Sequence, residues 1–446
     1  AEGSVKGDGN VTTQYNPEGA PETPRQGIVN FDKWVPTHPD YDDSPIAWNK
    51  ATRKARSQPT TEQIANLPQE QFDRWLEAAP ESGSDDETSK NFFPIAQLME
   101  RCDPLILPVI TRQQKVHGPC AKAIKGAATQ PILRVGTDCS GMEAPIQAIR
   151  NLRLAHQHIF SCDNDPHVIQ THKANFCPQK HDDDITTRDN KETPSVDLYV
   201  AGFPCQPFSK AGKQQGFEDT KGRGTIFYNV LEYIELQRPK VFILENVKGL
   251  LTMDHGKHVK KILGALLDIR SISKERPNER ESAYEVHTEI LDTKQHGIPQ
   301  SRPRWYCVGI LKTTFQGSSS QFKFPEPIPM TPIDTLLDWD SDKAQIWHLS
   351  NTAAANVEQA HKKIISEGGK PSQEAYIVDC DASRSQSRHT KGYSPCITRS
   401  RYNGHWITNK NRRMKLEEMF RLQGMNPYHF SKVVTASQLG MQIGNA

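Results

Sequence analysis

From about residue 132 onward the chain alternates two kinds of apolar pattern. Short runs rich in β-branched and aromatic residues, closed by a glycine or a carboxylate, read as strands. Apolar residues at three-to-four spacing between them read as helices. The strands expected are Ile132–Gly136, His158–Ser161, Val196–Val200, Pro239–Val247, Tyr284–Leu291 and Trp305–Leu311. A helix reaching Leu152 follows the first strand. Another starts at Thr225-Ile226-Phe227, where Phe227, Val230, Leu231 and Ile234 share one face. This alternation predicts an α/β body, a Rossmann-like sheet with helices on both faces. Arg413–Gly424 then reads as an amphipathic helix stopped by glycine.

Outside this body the periodicity weakens. Residues 1 to about 58 are rich in Pro, Gly and Asp and read as extended or disordered. A helix is expected from Thr60 through Ile64, Leu67, Phe72, Trp75 and Leu76, broken at Pro80. Glu81–Lys90 is an acidic linker, and Phe92–Ile110 holds a further apolar patch. From about Lys312 to about Ser394 little helical or strand order is visible.

Composition narrows the picture. At 446 residues and 35% hydrophobic content the chain exceeds one average domain and can bury a sizeable core. The nine cysteines include no Cys-x-x-Cys pair, so no zinc module or other metal site is signalled, and their odd number fits a reducing compartment. No apolar run approaches membrane-spanning length, and the amino terminus lacks a signal-peptide pattern. Without an initiating Met, the chain is expected to be an excised piece. The net charge of +2 hides an asymmetry: the first hundred residues hold 17 acids against 9 bases, so the remainder is basic. A basic body fits a polyanionic partner.

Candidate chemistry lies at strand ends. In Ala201-Gly202-Phe203-Pro204-Cys205-Gln206-Pro207-Phe208-Ser209, a cysteine stands between two prolines just after a strand, as suits a nucleophile. Lys210–Gly224, punctuated by four glycines, reads as a mobile loop. The next strand ends in Glu245-Asn246-Val247. In open α/β sheets, groups at the carboxyl ends of strands converge on one crevice. Gln300-Ser301-Arg302-Pro303-Arg304 places two arginines on one face of a further strand.

On these three motifs, in this order and at comparable spacing, the sequence resembles the C5-cytosine-specific DNA methyltransferases. The likeness runs from about Arg134 to the last residue. It implies S-adenosylmethionine as cofactor, double-stranded DNA as partner, and a cytosine flipped out of the duplex. Cys205, preceded by Pro204, would add to carbon 6, because carbon 5 is a poor nucleophile until something does. Glu245 would hold a proton at N3, Arg304 would contact O2, and Arg302 would support the same pocket. Cofactor contacts would come from Ser140, Gly141, Asp163, Asn164, Asp184, Ile185, Gly202, Ile226 and Asn445. DNA contacts would come from Ser209, Lys210, Lys213, Arg223, Arg399, Arg401 and Tyr402.

Two departures stand out. The family's Phe-x-Gly-x-Gly-Gly run is replaced by Cys139-Ser140-Gly141-Met142-Glu143-Ala144, which keeps one glycine and loses the aromatic. The chain also stops at Gln442–Ala446, partway through the family's last motif. The expected organisation is an extension over 1–128, a catalytic domain over 129–311, a target-recognition region over 312–400 and a return to the catalytic domain over 401–446. Between Asp381 and Lys415 stand nine bases and one acid, with Tyr393, Tyr402 and Trp406 interleaved, as suits DNA. The extension is expected to brace the catalytic body or bind a protein partner. Location is expected to be nuclear in a eukaryote and otherwise cytoplasmic. A transfer-RNA cytosine methyltransferase on the same scaffold and an inactive DNA-binding homologue are the rival readings.

Overall fold

The computed structural model describes residues 132–204, 226–272, 280–315, 320–338 and 349–446. The amino-terminal extension, the expected helix at 60–76 and the segment from Cys205 to Thr225 lie outside the described residues.

The α/β body is built as the apolar pattern dictates. In chain order it comprises β1 (Leu133–Asp138), α1 (Ala144–Asn151), β2 (His156–Cys162), α2 (Pro166–Asn175), β3 (Lys180–Asp182), β4 (Leu198–Ala201), α3 (Ile226–Gln237), β5 (Val241–Val247) and α4 (Lys257–Leu267). A short ribbon, β6 (Arg270–Ile272) with β7 (Arg280–Ser282), precedes the long strands β8 (Tyr284–Asp292) and β9 (Pro303–Leu311). Seven strands form one sheet in the order β3-β2-β1-β4-β5-β9-β8. The first five run parallel, and β9 and β8 close the edge antiparallel. Strand order reverses between β1 and β4, the place where a doubly wound sheet binds its ligand.

Successive residues of each strand face opposite sides, so two cores form. Leu198 and Val241 join Ile146, Ile149 and the carboxyl-terminal helices on one face, while Tyr199 and Phe242 join Phe227, Val230, Ile262 and Trp305 on the other. The face expected for α3 is largely the face observed: Phe227, Val230 and Ile234 are buried, with Tyr233 among them and Leu231 at the margin.

The expectation of little order before Ser394 is overturned. Asn351–Ser366 is a helix of 16 residues, α5, capped by Ser350, whose hydroxyl accepts from Ala353 N–H. Its buried positions are Ala353, Asn356, Ala360 and Ile364. Alanine and asparagine give a weak hydrophobic stripe, so propensity rather than apolar period is the signal present. A second sheet, in the order β11-β10-β12-β13, follows from β10 (Tyr376–Val378), β11 (His389–Lys391), β12 (Trp406–Ile407) and β13 (Arg412–Arg413). It runs across position 400 and packs into the same core as β1 and α1 through Ile377 and Ile407.

The chain returns through α6 (Leu416–Leu422) and α7 (Ala436–Asn445). Two glycines let α7 press on the turn Arg399–Arg401. A Cβ at Gly440 would lie 2.2 Å from Tyr402 O, and one at Gly444 2.3 Å from Thr398 C. On its other side α7 reaches α2, where Thr171 Oγ1 donates to Gln442 Oε1 at 2.8 Å.

Candidate active site

Three strand ends bring the expected side chains together. β5 and β9 are antiparallel neighbours with Glu245 opposite Tyr306, so Arg304 stands diagonal to Glu245. Its Nε lies 2.8 Å from Glu245 Oε1, with both side chains at least two-thirds buried. The other carboxylate oxygen faces the end of β4: a Cβ built on Gly202 would meet Glu245 Oε2 at 3.6 Å and Cys139 O at 3.9 Å. Asn246, fully buried, donates from Nδ2 to Phe203 O at 3.2 Å and fixes the Gly202-Phe203-Pro204 segment against β5. That segment leads directly into position 205, which lies outside the described residues, as do Ser209, Lys210, Lys213 and Arg223.

The two arginines share a face but do different work. Both approach Cys396 Sγ, Arg302 Nη1 at 3.5 Å and Arg304 Nη2 at 3.9 Å. Arg302 is buried and donates to Ile397 O at 3.0 Å, to Gly444 O at 3.4 Å and to Ala446 O. It ties β9 to the segment after β11 and to the end of α7. Gln300 acts alike: Nε2 donates to Leu422 O, and Oε1 accepts from Ile397 N–H, both at 2.8 Å. Sequence reasoning does not find Cys396. Its only signal is a Pro-Cys step like that at Pro204-Cys205.

At the switch point, the loop after β1 keeps a left-handed backbone where the sequence no longer supplies glycine. Cys139, Gly141 and Glu143 have φ of 50°, 53° and 56°. Side chains with a Cβ resist this region, so something must hold the two non-glycine residues there. For Glu143 it is a buried polar cluster. Thr137 Oγ1 donates to Glu143 Oε1 at 3.0 Å, and Ser161 Oγ donates to the same oxygen at 2.5 Å. His158 and His172 approach the same oxygen at 3.6 and 3.9 Å, and Oε2 has no hydrogen-bond partner among the described residues. Burial raises the Glu143 carboxyl to about 8. Burial likewise lowers His158 to about 3 and His172 to about 4. The cluster is therefore held in its uncharged forms. His172 Nε2 meets Gly141 O at 2.6 Å, and because a carbonyl only accepts, that nitrogen carries the proton.

The remaining expected cofactor residues frame this loop. Asp163, at the end of β2, accepts from Gly141 N–H at 2.9 Å and Asp165 N–H at 3.0 Å, and burial raises its carboxyl. Ser140 Oγ donates to Cys162 O at 2.9 Å, and Asn164 is exposed. Asp184 closes its own turn, accepting from Thr186 N–H and Oγ1 at 2.8 Å, while Ile185 is buried beside it. Ile226 opens α3 half-buried, and Asn445 is exposed at the end of α7. Among the described residues nothing lies within 4 Å of a Cβ built on Gly141, so the loop faces open space there.

The basic segment 381–415 is less free than its sequence suggests. Arg401 pairs with Asp379, Arg413 with Asp381 at 2.7 Å and Arg412 with the fully buried Glu418 at 2.7 Å. Arg399 stays about half exposed, 3.8 Å from Asp165, and Tyr402 is half-buried.

The family model for C-5 cytosine-specific DNA methylase matches residues 138–446. The chain is 34% identical over 290 residues to type II methyltransferase M.NgoBI of Neisseria gonorrhoeae, covering 65% of this chain and 81% of that one. It is 42% identical over 170 residues to type II methyltransferase M1.ScrFI of Lactococcus lactis subsp. cremoris, covering 38% and 39%. Among solved structures, the S. pombe Dnmt2 methyltransferase aligns over 71% of this chain and 94% of that one, with 18% identity and a TM-score of 0.45. With a family model spanning both the loop after β1 and the paired Glu245 and Arg304, the chain belongs to the C-5 cytosine-specific DNA methylases.

Proposed function

We propose that this chain transfers a methyl group from S-adenosylmethionine to carbon 5 of a cytosine flipped out of duplex DNA, through a covalent bond between Cys205 and carbon 6. The observation that carries the reading is the Glu245–Arg304 pair at 2.8 Å, set beside the glycine three residues before Cys205. Membership of a DNA cytosine methylase family supports the substrate.

The residues after β1, β2 and β3 fit the cofactor. Gly141 opens onto free space, Asp163 offers a carboxylate at the strand end, and Ile185 and Ile226 offer apolar contact. When bound, that group supplies an electrophilic methyl on a sulfonium. The chain's own residues make carbon 5 ready to take it. The Cys205 sulfur adds to carbon 6, electron density moves across the ring, and a proton shared from Glu245 to N3 stabilises it. Arg304, beside Glu245, stands where its guanidinium can turn to O2 once a base is seated. A stacked cytosine hides carbon 6, so the base must leave the duplex. A base then takes the carbon 5 proton and the sulfur departs.

Duplex DNA carrying 5-fluorocytosine tests this, because fluorine at carbon 5 blocks the last step. The expected result is a stable protein–DNA adduct that requires cofactor and is lost in Cys205→Ala. No adduct from cofactor-bound protein would favour the inactive homologue. Methyl label entering transfer RNA but not duplex DNA would end the DNA reading.

A further inference from the structure

A side chain that no motif singles out ties the turn carrying Asp184 and Ile185 to the end of β1. Arg188 closes this turn, its N–H donating to Asp184 O at 3.2 Å. Its guanidinium then reaches the end of β1, where Nη1 and Nη2 donate to the two oxygens of Asp138 at 2.5 and 2.7 Å. Asp138 immediately precedes the left-handed loop Cys139–Glu143 and also accepts from Tyr199 Oη at 2.5 Å. The remaining face of the fork, Nε and Nη2, donates to Asn190 Oδ1 at 3.1 and 3.0 Å. Asn190 in turn donates to Asn229 O and Glu232 Oε2 of α3, at 3.1 and 2.8 Å. The guanidinium lies over the rings of Phe160 and Tyr233, with 1% of its side chain exposed.

One planar cation thus joins the loop after β1, the turn after β3 and the helix that begins at Ile226. We infer that Arg188 is a positioning residue for the cofactor pocket, holding these three segments in register so that contacts at Gly141, Ile185 and Ile226 form together. The inference rests on the proposed use of S-adenosylmethionine. It goes beyond that reading by assigning the register of the pocket to a residue that does not touch it. A fork is required: a lysine carries the same charge but as a point, and cannot satisfy both oxygens of Asp138 and Asn190 at once.

A buried pair placed only for stability would make a different prediction, so the experiment separates the two. Binding of S-adenosylhomocysteine is measured by calorimetry on the full chain, together with thermal midpoints and affinity for duplex DNA. Wild type that fails to bind the probe would remove the cofactor reading itself. Given binding by wild type, Arg188→Lys is expected to bind at least tenfold more weakly, with DNA affinity within twofold. The paired neutral replacement Asp138→Asn with Arg188→Gln leaves no buried orphan charge and guards against simple misfolding. It is expected to keep most of the thermal midpoint and still lose tenfold or more in probe affinity. Either variant binding the probe within twofold of wild type, or losing DNA and probe affinity in equal proportion, would overturn the assignment.

Discussion

The corner after β1 and the segment 381–415 depart from expectation in opposite senses. The corner is broken in sequence, with glycines replaced by Glu143 and Ala144, yet Glu143 holds a left-handed φ of 56° where Thr137 and Ser161 donate to its buried carboxyl. The basic segment is ready-made in sequence, with nine bases and one acid, yet Arg401, Arg412 and Arg413 are paired with Asp379, Glu418 and Asp381. A motif lost in sequence can survive in conformation when buried groups compensate. A charge run read along the chain is partly neutralised when the acid within it, Asp381, and those just beyond its ends, Asp379 and Glu418, fold onto its arginines. Composition within a window does not report charge on a surface.

Arg304 joins the basic segment to the sheet, facing Glu245 of β5 on one side and Cys396 on the other. The largest effect is expected there. Glu245→Gln keeps the shape and a partner for Arg304 Nε but cannot share the proton with N3 that the proposed mechanism requires. Its expected kcat loss is of order 10²- to 10⁴-fold, the usual worth of a positioned general acid. Little change in thermal midpoint should accompany it. A loss under tenfold in steady-state turnover would detach the carboxyl from the chemistry.

Next comes the buried pair Arg412–Glu418, which tests whether bases of the segment 381–415 serve the fold. Arg412 Nη1 and Nη2 reach the two oxygens of Glu418 at 2.8 and 2.7 Å, and Glu418 also accepts from Lys415 N–H. Arg412→Met leaves a buried carboxylate without its counter-ion, and about 3–5 kcal/mol of stability should be lost in urea unfolding. Replacing Glu418 by Leu as well should restore most of it. If the single variant unfolds at the wild-type midpoint, the pairing carries no structural weight.

The left-handed corner is sharpened by pH. Glu143 is raised to about 8, so its protonated form belongs to the folded state. The stability this contributes is full below the unfolded carboxyl value near 4.5 and is lost progressively as pH rises to about 8. His158 and His172, lowered to about 3 and about 4, act in the other sense: their contribution is full above the ordinary value of 6.5 and is lost as pH falls through 4. Glu143→Gln should abolish the alkaline part of the profile and leave the acid part. A variant whose urea midpoint still falls between pH 5 and 8 as wild type does would place the titration elsewhere.

How much is legible in the sequence follows from what each signal measures. Six of the seven strands of the main sheet are visible because apolar and β-branched residues cluster in them, whereas β3, Lys180-His181-Asp182, carries no such signal. Gly202, Glu245 and Arg304 come together because all stand at one end of neighbouring strands. Helix α5 is hidden, since Ala353, Asn356 and Ala360 leave only a weak hydrophobic stripe. So are Arg188, Cys396 and the tie that Gln300 makes within its motif, since their partners lie far along the chain at Asp138, the two arginines and Leu422. Side chains that tie distant segments leave no local period to read.

The smallest effect separates the two arginines of the turn against α7. Arg399, about half exposed, retains most of its charge for solvent or phosphate, whereas the Arg401 guanidinium is committed to Asp379 through both Nε and Nη2. If this turn meets duplex DNA, Arg399→Ala should weaken binding uniformly across sequences and lower the slope of log affinity against log salt by about 1. Arg401→Ala should leave that slope unchanged and instead release Asp379, lowering the thermal midpoint. Fluorescence anisotropy over a salt series, beside a thermal melt, resolves the two. Equal slopes in both variants and in wild type would take this turn out of the DNA interface and leave Arg399 as an ordinary solvated side chain.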